Sequence, residues 1–161
     1  MTEPACPDLP VSPDGPACPD VIVHVCANCV PAAARLPRQW RQRNALVLVR
    51  DVPCSGKMDG QYLLHALEGG ARGVCVVACP RGECTLAQGN YRAEIRVGTV
   101  RRLLDEIGIE PERAELVHAS PHDPPEDFEP LVRAAVERLV SLGPSPIAPS
   151  SITAEKPQTT G

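Results

Sequence analysis

A chain of 161 residues is long enough for one domain with a real core and too short for two comfortable ones. A net charge of -4 and an aromatic content of 2% argue against a general nucleic-acid role, which wants a basic face and rings to stack on bases. Eight cysteines are many for this length. The start, Met1-Thr2-Glu3-Pro4, lacks the apolar stretch of a secretory signal, and no run approaches a membrane span. The chain therefore reads as cytoplasmic, where disulfides are rare and grouped thiols bind metal or do redox work.

Residues 1–20 read as a disordered, Pro-rich tail. Pro-Ala-Cys-Pro-Asp occurs there twice, at 4–8 and 16–20, which puts Cys6 and Cys18 on a flexible segment. Residues 21–25 are the first strand, apolar enough to be covered on both faces. Its one polar residue, His24, reads as a satisfied, partly buried histidine. Cys26-Ala27-Asn28-Cys29 follows at once. Pro31 suits a first helical turn, predicting a helix to about residue 43 that Pro37 shortens or kinks. Residues 45–50 are the second strand, leaving through Pro53-Cys54-Ser55-Gly56-Lys57. An amphipathic helix over 58–68 turns Met58, Tyr62, Leu63 and Leu67 to the core, with His65 on its flank and Gly69-Gly70 as its stop.

The third strand, 73–78, is glycine-bounded and rich in valine. Cys75 lies inside it and reads as a small core residue. The strand leaves through Cys79-Pro80-Arg81-Gly82-Glu83-Cys84, a C-x4-C loop whose central glycine lets both thiols fold onto one point. A long helix over 86–107 is expected to bury Tyr91, Ile95, Val100, Leu103, Leu104 and Ile107, with Gly108 as its stop. The fourth strand, 115–119, runs into Ser120-Pro121-His122-Asp123, with no cysteine. A last helix over 127–142 turns Leu131, Ala134, Ala135, Leu139 and Val140 inward. From 143 to 161 Pro, Ser and Thr dominate, and a second disordered tail is expected.

Strand and helix alternate four times. That predicts an α/β domain over 21–142, three-layered, with a four-stranded parallel sheet and helices on both faces in a flavodoxin-like arrangement. Parallel strands end on one edge, and sites in such folds lie beyond that edge. Cys26 and Cys29 follow strand one, Cys54 strand two, Cys79 and Cys84 strand three. Five thiols distant in sequence therefore converge. Three chemistries compete for them: an iron–sulfur cluster on four thiolates, structural zinc, or a dithiol redox site at Cys26 and Cys29. The zinc reading lacks the second C-x-x-C of a zinc ribbon, and the dithiol reading leaves Cys54, Cys79 and Cys84 unexplained. Lys57, Arg81, Arg92, Arg96, Arg101 and Arg102 suggest either a basic docking face or a solvated helix face. His118 and His122 follow strand four, as ligands or as ordinary core and loop histidines. No phosphate loop, nucleophile triad or carboxylate pair is evident, so no organic substrate is expected to be converted by this chain.

The stretch from Val21 to about Leu142 resembles the delta subunit of the methyl-viologen-reducing hydrogenase, the hydrogenase iron–sulfur subunit family. The elements that carry the resemblance are Cys26-Ala27-Asn28-Cys29, Cys54-Ser55-Gly56 and Ala78-Cys79-Pro80-Arg81-Gly82-Glu83-Cys84. Gly89-Asn90-Tyr91-Arg92 and the stretch from Leu103 to Arg113 join them. The resemblance implies an electron-transfer subunit of an oxidoreductase complex, with a 2Fe–2S cluster. It would relay electrons between a hydrogenase, or another donor, and a heterodisulfide-reductase-type flavoprotein. The candidate ligands are Cys26, Cys29, Cys54, Cys79 and Cys84, one thiol more than four positions need. Spacing alone would give each iron one short pair, 26/29 and 79/84, and leave Cys54 beside the cluster. The alternative is a zinc-stabilised interaction module with no redox role. Cys6, Cys18 and the tails lie outside the resemblance.

Overall fold

Four apolar runs form strands that lie side by side and parallel: β1 (Val21–Cys26), β3 (Ala45–Val52), β4 (Gly73–Ala78) and β5 (Ala114–His118). A fifth, β2 (Gln39–Gln42), pairs antiparallel with β3 at one edge, and the order across the sheet is β2-β3-β1-β4-β5. The structure, a computed structural model, describes residues 18–147; the expectations for 1–17 and 148–161, Cys6 included, fall outside the described residues. β1 lies at the centre, with Val23 between Val49 and Cys75. β4 is buried at every position, as a parallel strand covered on both faces must be.

The four-stranded, all-parallel sheet is therefore corrected to a five-stranded mixed one, and the helix expected from 31 to 43 does not form. Pro31 opens only a single turn, closed by Ala34 N–H on the Pro31 carbonyl. Pro37 then denies a helix its N–H and crowds the preceding turn. The chain runs irregularly to β2, which returns to β3 through Arg43 and Asn44. Both have positive φ, 45° and 63°, the mirror-image turn whose twist suits a hairpin. Trp40 of β2 packs against the core with Arg133 4.8 Å above its ring.

Alternate sheet positions feed two cores. Helices α1 (Gly60–Glu68) and α2 (Gly89–Glu106) cover one face, burying Leu63, Leu67, Val97, Val100 and Leu104 against Val74 and Val76. Helix α3 (Pro125–Ser141) covers the other, burying Phe128, Val132, Ala135, Val136 and Leu139 against Val23, Cys75 and Val77. Leu131 and Ala134 face outward, contrary to expectation.

α2 is rotated from the expected register. Ala93, Val97, Val100 and Leu104 face the sheet, whereas Tyr91, Ile95, Leu103 and Ile107 are exposed. The reason lies at its first turn: Gly89 and Asn90 are buried, and Asn90 Nδ2 donates to the Pro80 carbonyl at 2.6 Å. Docking of that turn on the Cys79–Cys84 loop sets which residues follow onto the sheet. Tyr62 of α1 is likewise exposed, while Met58, Leu63 and Leu67 are buried as expected.

A buried cation closes the far end of the sheet. Arg113, 1% exposed, pairs with Glu110 at 2.8 Å and donates to the carbonyls of Arg72, Leu142, Gly143 and Pro144. Its donors meet enough acceptors to offset the cost of burying the charge.

Candidate metal centre

The three strands whose exits carry cysteines, β3, β1 and β4, are adjacent and parallel, so their carboxyl ends share one edge. Cys26 is the last residue of β1, beside Val52 of β3. Its sulfur is approached by the side chains of Cys29 and Cys79 and by the backbone N–H groups of Asn28 and Ser55. Cys54 opens a single helical turn, Ser55–Lys57, and its sulfur accepts the Gly56 N–H at 3.4 Å. Cys84 receives the N–H groups of Leu86, Gly89 and Asn90 at the start of α2. The sulfurs of Cys54 and Cys84 meet over Gly89: a β-carbon there would strike Cys54 Sγ and lie 3.3 Å from Cys84 Sγ. The charges of Cys26, Cys84 and Cys54 all reach Cys79. All five thiols named from the sequence thus gather at one edge, while Cys75 stays inside β4, close to Glu115 and Arg138.

The five thiols are not equivalent. Hydrogen bonding from Cys29 holds the Cys26 thiol down to about 5 against the opposing effect of burial. Cys29 is pushed far up, by that same hydrogen bond first and then by burial. Its Sγ lies 3.1 Å from the Cys26 carbonyl oxygen and 3.7 Å from that of Val77, alternative acceptors for its single S–H, and its side chain, like those of Cys26 and Cys79, belongs to the core under α3. Burial and the neighbouring Cys26 push Cys79 up to about 12. Burial raises Cys84 too, but the N–H groups of Asn90, Leu86 and Gly89 outweigh it and hold the thiol below its ordinary value. Backbone donors aimed at sulfur are what a thiolate in a poorly solvated site requires.

Both neighbours of the Cys79–Cys84 loop brace it. On the β5 side, His118 Nδ1 lies 3.0 Å from the Cys79 carbonyl and Ser120 Oγ donates to Glu83 Oε2 at 2.6 Å. On the α2 side, Asn90 holds Pro80 and Arg81 pairs with Glu94. His118 therefore faces backbone, and His122 is an exposed loop residue. His24, two residues before Cys26, is buried with Nδ1 unpartnered, so it is not the satisfied histidine expected; burial and then Arg50 lower it to about 4 and keep it neutral. Three of the six basic residues serve the scaffold: Arg81 pairs with Glu94, Arg96 donates to the Gly56 and Met58 carbonyls, and Arg101 to that of Ala114. Lys57, Arg92 and Arg102 are exposed. From the sequence, Gly56, Gly89 and Asn90 figure only in a strand exit or in the motifs that carry the family resemblance, and Ser120 only in a loop; none is assigned to the site.

Among the described residues, no three His, Cys, Asp or Glu side chains close tightly enough to hold a single metal ion. The thiols at this edge come from three separate loops. The donors are soft sulfur throughout, backbone N–H groups point at three of the sulfurs, and Gly89 keeps the space between two of them clear. No helix among the described residues is long and apolar enough to cross a membrane.

Residues 21–143 match the family described as methyl-viologen-reducing hydrogenase, delta subunit. The chain is 38% identical over 130 residues to the vhu iron-sulfur subunit of the F420-non-reducing hydrogenase of Methanococcus maripaludis, covering 80% of this chain and 96% of that protein. Its counterpart from Methanocaldococcus jannaschii is 36% identical over the same shares. One subunit of the ferredoxin/F(420)H(2)-dependent CoB-CoM heterodisulfide reductase of Methanosarcina acetivorans is 31% identical over 128 residues, which are 79% of this chain and 16% of that one. The matched residues span the whole sheet, all three helices and every cysteine at the site, and the chain belongs to the methyl-viologen-reducing hydrogenase delta-subunit family.

Proposed function

We propose that this chain is a cytoplasmic electron-transfer subunit of an oxidoreductase complex, holding a 2Fe–2S cluster at the cysteine edge. It relays electrons between a hydrogenase, or another donor, and a heterodisulfide-reductase-type flavoprotein, and converts no organic substrate of its own. The observation that carries this reading is the gathering of sulfurs from three adjacent strand exits around Gly89, with backbone N–H groups directed at Cys26, Cys54 and Cys84. The relatives support it: one group is named for an iron–sulfur subunit, and the other belongs to a heterodisulfide reductase and contains a matching segment. When bound, such a cluster supplies one-electron exchange.

The residues that would hold it are Cys26, Cys54, Cys79 and Cys84. Cys29 is the fifth thiol, because its sulfur lies within hydrogen-bonding reach of the Cys26 and Val77 carbonyls. Cys54, set aside by spacing alone, takes the fourth position because it shares the Gly89 hollow with Cys84. The zinc-stabilised alternative predicts a colourless protein, and visible absorption separates the two.

Anaerobically purified protein should be brown, with visible absorption and equal iron and sulfide; a colourless zinc protein would refute the cluster. Replacing Cys79 and Cys84 together by Ser should bleach the spectrum and stop donor-to-acceptor transfer in the reconstituted complex. The donor's activity with an artificial dye should survive. Undiminished transfer by the double variant would end the relay reading.

A further inference from the structure

Among the described residues, the exposed apolar side chains lie mostly on one side. Tyr62, Leu86, Tyr91, Ile95, Leu103 and Ile107 are all exposed, and all lie on or beside α1 and α2; on α3, Leu131 alone among the large apolar residues reaches that degree of exposure. Tyr91, Ile95 and Leu103 of α2 and Ile107 just past its end fall on four-residue steps, with Thr99 in the middle. Neighbours four apart, such as Tyr91 and Ile95, lie one turn from each other and can enter one groove of a partner. Ile95 is 69% exposed and Ile107 65%, although isoleucine is among the residues most often buried.

Gly98 gives a second, independent observation. It stands in the middle of the 18-residue α2, where glycine destabilises a helix relative to alanine. A β-carbon on it would meet nothing within 4 Å, so no contact inside the described chain needs it small. Gly56 and Gly89, by contrast, are each required by close contacts. The notch at Gly98, one turn from Ile95 and from Arg102, is space that nothing among the described residues fills.

The same helix begins at the cysteine edge. Cys84 is the more exposed of the site's thiols, and Leu86 and Tyr91 flank the turn that carries its N–H donors. Arg92 and Arg102 are exposed on the same helix, in a chain whose net charge is -4, with the exposed acids Asp105 and Glu106 confined to its last residues. A partner here is offered an apolar stripe, a glycine notch and local positive charge, beside the sulfur nearest to solvent.

We propose that the outer face of α2 is the docking surface for the electron-exchanging flavoprotein, which packs an apolar element over Gly98 and sets acidic groups against Arg92 and Arg102. This rests on the partner proposed for the relay, and on the relative in which a matching segment is part of a heterodisulfide reductase chain itself. Burying that stripe brings the partner against the Cys84 end of the site.

The test uses the full chain and the heterodisulfide-reductase-type flavoprotein of the same organism, with affinity measured by titration calorimetry. Ile95→Glu should weaken binding by about tenfold or more with the visible spectrum unchanged. Gly98→Ala should raise the melting temperature yet weaken binding, and Gly98→Leu should weaken it further. Leu131→Glu, on the opposite face, should bind as the unaltered chain does. If Ile95→Glu and Gly98→Leu bind like the unaltered chain, the surface assignment is overturned while the partner stands. If the unaltered chain does not bind the flavoprotein, the named occupant is overturned, and the spectrum still judges the cluster separately. Two further results overturn the proposal: a sedimenting dimer that Ile95→Glu abolishes without affecting flavoprotein binding, or loss of hydrogen-exchange protection on α2 when the chain is ended at 147.

Discussion

Gly56 and Gly89 meet backbone to backbone: a β-carbon on Gly56 would lie 2.7 Å from the Gly89 Cα and 3.2 Å from its carbonyl oxygen. This contact presses the Cys54 loop against the first turn of α2, and so brings Cys54 to Cys84. Arg96 reinforces it from within α2, donating to the Gly56 carbonyl at 2.5 Å. Gly89→Ala should therefore push the Cys54 sulfur out of the site, lowering iron content and distorting the visible spectrum. The overpacking cost to stability should be about 1–3 kcal/mol. Gly98→Ala, where a β-carbon is unopposed, should instead stabilise by about 0.5–1 kcal/mol. Equal iron content in both variants would count against the hollow as part of the site.

Cys29 and Cys54 make opposite predictions. Cys29→Ser keeps one donor within reach of the Cys26 and Val77 carbonyls, so it should retain the visible spectrum. Cys54→Ser removes a proposed ligand and should lose most of its colour or its stability toward chelators. The reverse outcome would restore the pairing that spacing alone suggests, 26/29 and 79/84. Iron and sulfide content, read beside circular dichroism of the fold, decides between them.

Cys75 separates packing from ligation. It is fully buried in β4 and its thiol is pushed up by burial, with Glu115 adding to the effect. Cys75→Ser places a hydroxyl among valines and should cost about 1–3 kcal/mol without moving the spectrum. A bleached Cys75→Ser protein that still folds would mean that the site extends down β4.

The central strands are legible in the sequence because they are continuous apolar runs, and the cysteines because each group follows such a run. β2 is not legible: Gln-Trp-Arg-Gln is an edge strand with little to bury, and its turn uses Arg43 and Asn44 in place of glycine. The stretch after Cys29 suggests a helix because Pro31 fits a first turn; Pro37 carries the contrary signal. The rotation of α2 is hidden because large apolar residues lie on both its faces, and the smaller Ala93 and Val97 are among those that pack on the sheet. Gly89 and Asn90 stand out in the sequence only as part of the family resemblance and Ser120 only as a loop residue; their roles at the site act through shape, a backbone carbonyl and Glu83, which no pattern of residue types records.

Arg113 makes the last prediction, at the end of the sheet away from the sulfurs. Its guanidinium is buried and supplies donors to Glu110, to the Arg72 carbonyl and to three carbonyls just beyond α3. Arg113→Met fills the space but leaves four carbonyls without their donor, and should cost about 3–5 kcal/mol in urea denaturation. The ion pair adds a pH dependence. Arg113, as hydrogen-bond donor, holds the Glu110 carboxyl below its ordinary value. The unfolded chain therefore takes up that proton at higher pH than the folded one. The stabilisation is complete above the ordinary glutamate range and is lost as pH falls through the depressed folded value. Wild type should weaken across that acid window more steeply than Glu110→Gln, which has no carboxyl to protonate; near neutrality Glu110→Gln should be the less stable of the two. Cluster content should be unchanged in both, since neither residue touches the cysteine edge. If the two proteins lose stability in parallel on acidification, the pair does not contribute to acid sensitivity, and the carboxylates responsible lie elsewhere.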